Sequence, residues 1–139
     1  MNTHPYVRAY MAGVTVPSLF FVLGFAVYLG SHSAYPPDFP IERFLVFPLA
    51  LVPAIWGVWN VVYVAAEGYR RWPIGLHGAV VPLVLLPLAL WGAASLRIEG
   101  VRLLLSIAWL IVPLLAAIYY LAWKYLVHAL NRLLGIGPA

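Results

Sequence analysis

The chain of 139 residues contains no cysteine. That absence excludes a disulfide framework, a thiolate metal site and a cysteine nucleophile, and it leaves the redox compartment unmarked. Charge is almost as scarce. Lys and Arg number 8 and Asp and Glu 4, so charged residues make up 9%, where a soluble domain carries about 25%. So few charges cannot cover the surface of a 15.4 kDa globule, which excludes a soluble monomer. Intrinsic disorder is excluded as well, because it needs little apolar content and much charge. Signature motifs of catalysis are missing: there is no GxSxG, no glycine-rich phosphate loop, no HExxH or ExxH, and no pair of carboxylates inside an apolar segment. The net charge of +4 comes without a basic stripe or a recognition motif, so nothing points to a nucleic-acid partner.

What is present is apolar length. Hydrophobic residues make up 65% and the mean hydropathy is +0.96. Charge-free runs separate Arg8 from Asp38, Arg43 from Glu67, Arg71 from Arg97 and Arg102 from Lys124. Each exceeds the roughly 20 apolar residues that a helix needs to cross a hydrocarbon core of about 30 Å. Only helices and closed barrels satisfy their backbone in lipid, and runs without alternation favour helices. The expected spans are residues 9–29, 44–66, 74–96 and 103–123. The first resembles a secretory signal, because Ser31, His32 and Ser33 form a small-x-small pattern, but its apolar stretch exceeds a signal's 7–15 residues. It is read as a retained span.

Short connections make consecutive helices neighbours. The segments 67–73 and 97–102 read as tight hairpins, and only 30–43, stiffened by Pro36, Pro37 and Pro40, has room for structure of its own. The fold expected is therefore all-α: one domain over 1–139, four transmembrane helices in an up-down-up-down bundle, and both termini on the same side. On the side of the termini lie Arg8, Arg70, Arg71, Lys124 and Arg132, and on the other Arg43, Arg97 and Arg102. Short-loop Lys and Arg mark the cytoplasm, so both termini are expected there, in a bacterial inner membrane. Aromatic residues cluster where the spans end, as at Tyr6, Tyr10, Tyr69, Trp72, Trp91, Trp123 and Tyr125.

Both ends carry helix signals. Thr3 or His4 can cap a helix that starts at Pro5. Beyond residue 123 the helical pattern continues to about residue 134, with Lys124, His128 and Arg132 on one face and Gly135 and Gly137-Pro138 as a stop. This amphipathic tail reads as an interfacial anchor or as a docking face for a partner subunit.

Six of the twelve prolines fall inside the spans: Pro17, Pro48, Pro53, Pro82, Pro87 and Pro113. Neighbouring helices re-satisfy the groups that such prolines free. Pro48 and Pro53 before Trp56 match Pro82 and Pro87 before Trp91 in the distance between prolines, although the distance to Trp differs by one residue. The pattern reads either as a duplicated unit of a transporter or as kinks that fit the packing. Ala9/Gly13 and Ala50/Ala54 are small pairs that permit close helix approach.

Depth singles out the candidate site. Thr15, Asn60, His77, Tyr119 and Tyr120 lie towards the same end of their spans, with Trp56, Trp59 and Tyr63 beside Asn60. An amide in hydrocarbon needs a partner, and Thr15, Tyr119 and Tyr120 are the partners expected for Asn60. The alternatives are a polar, aromatic-lined pocket open to the cytoplasm and an interhelical hydrogen bond that fixes helix pairing. Arg70, Arg71 and Trp72 are suited to a lipid headgroup phosphate. His77 and His128 are a candidate haem or metal pair, although no cofactor is expected on balance.

The function expected is that of a non-enzymatic small membrane protein acting through intramembrane helix contacts. Its partners are the lipid bilayer and either a second copy of itself or another membrane protein. The alternatives are an oligomeric channel or transporter of a small or lipophilic molecule, and a haem- or metal-binding oxidoreductase subunit. A coupled ion carrier is disfavoured, because no charged residue lies within a span.

Overall fold

A computed structural model of the chain describes residues 4–31, 50–66, 72–95 and 101–136. Among the described residues every regular element is helical. Helix α1 is Pro5–Ser31, α2 is Ala50–Ala65, α3 is Ile74–Ser95 and α4 is Val101–Ala122. A π-helical turn, Trp123–Val127, carries α4 directly into α5, His128–Leu133. Residues 44–49 of the second expected span, residues 32–43 of the connection before it, and most of both short hairpins lie outside the described residues.

Three stretches are long and apolar enough to cross a membrane: Pro5–Gly30, Ile74–Gly92 and Ala108–Leu133. Helix α2 is apolar but has 16 residues, about 24 Å at 1.5 Å per residue. The last apolar stretch runs through the tail instead of stopping near residue 123. Pro17, Pro53, Pro82, Pro87 and Pro113 all sit inside continuous helices.

The chain ends follow their local signals. Pro5 opens α1 as its first residue, where its missing N–H removes no bond, and the His4 carbonyl accepts from the Arg8 N–H at 3.3 Å. At the other end Gly135 has φ of 68°. The Ile136 N–H donates to the Asn131 carbonyl at 2.7 Å and the Gly135 N–H to the Arg132 carbonyl at 3.0 Å, the pair of bonds that closes a helix through a left-handed residue. A Cβ at Gly135 would meet only Arg8 Nη1 at 3.6 Å, so space is not the constraint there. Gly135→Ala is expected to destabilise the fold by about 1 kcal/mol through the left-handed backbone alone, read as a small shift in an unfolding midpoint.

The helices pack as two pairs, α1 with α2 and α3 with α4. Glycine permits both contacts. A Cβ on Gly13 would lie 2.5 Å from the Trp56 carbonyl oxygen and 2.8 Å from Gly57 Cα. The Ala9/Gly13 pair is thus a true crossing point, and its opposite surface is Gly57. In the other pair, a Cβ on Gly75 would lie 2.7 Å from the Tyr120 ring, and one on Gly78 2.5 Å from Cβ of Trp123 in the π-turn that follows. The two pairs join around Val16, Trp56, Tyr63, Val81, Trp123 and Val127, which form one buried cluster.

Candidate functional site

The site is built where the two pairs meet. Asn60 is fully buried on α2 and Asn131 is 3% exposed on α5. Their side-chain amides bond reciprocally. Asn60 Nδ2 donates to Asn131 Oδ1 at 2.8 Å, and Asn131 Nδ2 donates to Asn60 Oδ1 at 3.1 Å. The second Asn60 hydrogen goes to the Ala9 carbonyl at 2.7 Å. One amide pair therefore links α1, α2 and α5, and satisfies the polar groups that burial would otherwise penalise.

This arrangement corrects the expected partners of Asn60. Thr15 donates to the Met11 carbonyl of its own helix at 2.7 Å and lines a separate cleft with Leu126 and Leu130. Tyr119 packs edge-to-face on Trp56, with centroids 4.8 Å apart. The Tyr120 ring lies against Gly75, with Lys124 Nζ 5.8 Å from its centroid. The actual partner, Asn131, lies in the tail. A readable signal existed: Trp123, Val127 and Asn131 recur every four residues and are all buried. Four α-helical residues overshoot a full turn by about 40°. The wider π-turn offsets that drift and keeps the three on one face.

A second bond secures the tail. Arg8 Nη1 donates to the Leu134 carbonyl at 3.1 Å, placing a cation at a helix C-terminus, where the dipole favours it. The tail thus docks on its own chain through its apolar face. Lys124, His128 and Arg132 remain exposed on the other.

Of the remaining candidate residues, Trp59, Tyr63, Trp72 and His77 come together between α2 and α3. The Trp59 indole donates to the His77 carbonyl at 3.0 Å, tying α2 to α3. The His77 ring packs edge-to-face on Tyr63 at 4.8 Å and lies 6.0 Å from Trp72. His128 stays exposed and shares no ring contact or hydrogen bond with His77, and no group of three or more metal-binding side chains occurs among the described residues. Arg70 and Arg71 lie outside the described residues, while Trp72 is exposed.

Among the described residues, Trp123 Nε1 and His77 Nε2 are buried without a partner, and Trp56 Nε1, also buried, has only the Tyr119 hydroxyl near it, in poor geometry. Trp56 and Trp123 are neighbours, with ring centroids 5.7 Å apart. Trp56 also lines a groove between α1, α2 and α4, together with Phe20, Phe21, Phe25 and Tyr119. The arrangement is thus a polar lock flanked by an aromatic groove. Neither a protein-family model, nor a curated protein, nor a solved structure matches this chain.

Proposed function

We propose that this is a non-enzymatic integral membrane protein that acts through intramembrane helix contacts, as a homo-oligomer or as an accessory subunit of a membrane complex. It crosses the bilayer four times, with both termini in the cytoplasm of a bacterial inner membrane. The observation that carries this reading is the use of Asn60 and Asn131. These buried amides bond each other and tie the chain's own helices together, so they line no aqueous path. Polar groups spent in this way serve packing specificity. The outer faces of the helices, with Leu83, Trp91, Trp109 and Leu114 exposed, then offer apolar surface to lipid or to neighbouring helices. The excess of Lys and Arg on the side of the termini supports the orientation.

Mass measurement after extraction in native lipid tests this reading. The expected result is an assembly heavier than one chain with its bound lipid, either an integer multiple or a mixed complex. A population of single chains alone would overturn it. A second reading, a carrier of lipophilic molecules, draws its support from the groove beside Trp56 and Tyr119. Under the oxidoreductase reading His77 and His128 would be the ligands, but the exposure of His128 favours it least.

A further inference from the structure

Lys124 is exposed and sits inside the apolar stretch Ala108–Leu133. We infer that this cation docks a span of another membrane protein, one that carries a single Asp or Glu at the same depth. The inference names the partner of the subunit reading above and rests on that reading. Depth, direction and charge converge on this occupant.

Depth comes from the packing of the neighbouring residue. Trp123 shares a buried cluster with Val16 and Val81. At 1.5 Å per residue these lie about 16 Å along α1 from Pro5 and about 10 Å along α3 from Ile74. Lys124 is therefore about 10 Å or more inside the level where those helices begin. Arg132, by contrast, stands in the last turn of α5, next to the headgroups.

Direction keeps Lys124 there. Side chains of a helix lean towards its N-terminus, which for Lys124 points away from the end fastened by Arg8. Its Nζ lies 5.8 Å from the Tyr120 ring centroid and 5.2 Å from that of Tyr125. The two rings offer a partial counter-charge, but an ammonium within hydrocarbon calls for a full one.

Charge selects the partner. No acidic residue is among the described residues. The chain's four, Asp38, Glu42, Glu67 and Glu99, fall in the connections between helices. A second copy thus brings no carboxylate to this depth, and a phospholipid keeps its phosphate outside the hydrocarbon core. The surface leading to Lys124 suits a helix. Leu114, Ala117, Leu121 and Lys124 are all exposed and alternate three and four residues apart, the seam spacing of packed helices, with a small residue for close approach.

The test uses the full chain in phosphatidylcholine nanodiscs, analysed by native mass spectrometry. The probes are two synthetic spanning helices of leucine and alanine, identical except for one central Asp or Asn. The expected result is one Asp helix per chain, half-saturating at about a ten-fold lower mole fraction than the Asn helix, the ratio for a charged over a neutral hydrogen bond. Lys124→Met should abolish that preference and Lys124→Arg should keep it. Equal binding of both helices, binding of neither, a preference that survives Lys124→Met, or one that vanishes when phosphatidylglycerol is added would overturn the inference. Should Lys124→Met not fold, the comparison of the two helices on the unaltered chain decides. Mass in native lipid separates this inference from the function proposed above. An integer multiple of this chain alone would sink the inference and leave that function standing, whereas single chains alone would remove both.

Discussion

Gly13→Ala is expected to destabilise the fold by about 3 kcal/mol, the upper end for overpacked sites, and Gly13→Val by more. The reason is what the new Cβ would strike. Its nearest neighbours are the Trp56 carbonyl oxygen at 2.5 Å, Gly57 Cα at 2.8 Å and the Trp56 carbonyl carbon at 2.9 Å, all of them backbone. Backbone inside a helix cannot rotate away, so α1 and α2 must separate as bodies. Gly78→Ala strikes Trp123 at Cβ and Cγ, the stiff root of a fully buried side chain, and should rank next. Gly75→Ala meets the outer ring atoms of Tyr120, which can swing aside, and should be milder. Gly24 has nothing within 4 Å, so Gly24→Ala should be neutral or stabilising by up to about 1 kcal/mol through helix propensity. Reversible unfolding in mixed micelles, titrated with a denaturing detergent, reads this ranking. An equal response at Gly13 and Gly24 would mean that α1 and α2 are not packed as described.

The amide lock makes a different kind of prediction, one of non-additivity. Asn60→Leu leaves the Asn131 amide buried without its partner, and Asn131→Leu does the same to Asn60. Each single variant is expected to lose about 1–2 kcal/mol, the penalty for an unmet buried donor. The double variant removes both polar groups together and should be about as stable as either single one. Coupling of that form is what a double-mutant cycle isolates. Membrane interiors give smaller values, about 0.6 kcal/mol on average, so the sign of the coupling is the decisive quantity. Strictly additive losses would show that the two side chains do not act as a unit.

Helical architecture was legible because lipid imposes one rule on long apolar runs, and the runs around α1, α3 and α4 obey it plainly. Asn60 was legible for a related reason. It is an amide with no charged neighbour inside an apolar run, and hydrocarbon forces such a group to find a partner. Its partner was marked only by the four-residue recurrence of Trp123, Val127 and Asn131, a fainter signal than the cations beside it. Asn131 follows Lys124 and His128, and the regular recurrence of those cations with Arg132 draws attention to the exposed face of the tail. The buried face, Trp123, Val127 and Asn131, is short and rests on a π-turn that no residue pattern announces. Trp123 illustrates the ambiguity. An aromatic residue next to Lys124 at a span's end matches an interfacial anchor, yet its side chain is fully buried against Gly78. Thr15 fails in the opposite direction. Its hydroxyl had a cheaper acceptor one turn back in its own helix, as hydroxyls in helices commonly do.

The bond between Arg8 and the Leu134 carbonyl joins residues 126 positions apart, and Asn131 meets Asn60 across 71. The start of α1 is thus fastened by the residue that closes α5. During synthesis α1 and α2 emerge well before residue 131, and until then Asn60 has only the Ala9 carbonyl to hold. Closure therefore waits for the tail, and a chain ending before Asn131 would lack the partner that clasps Asn60.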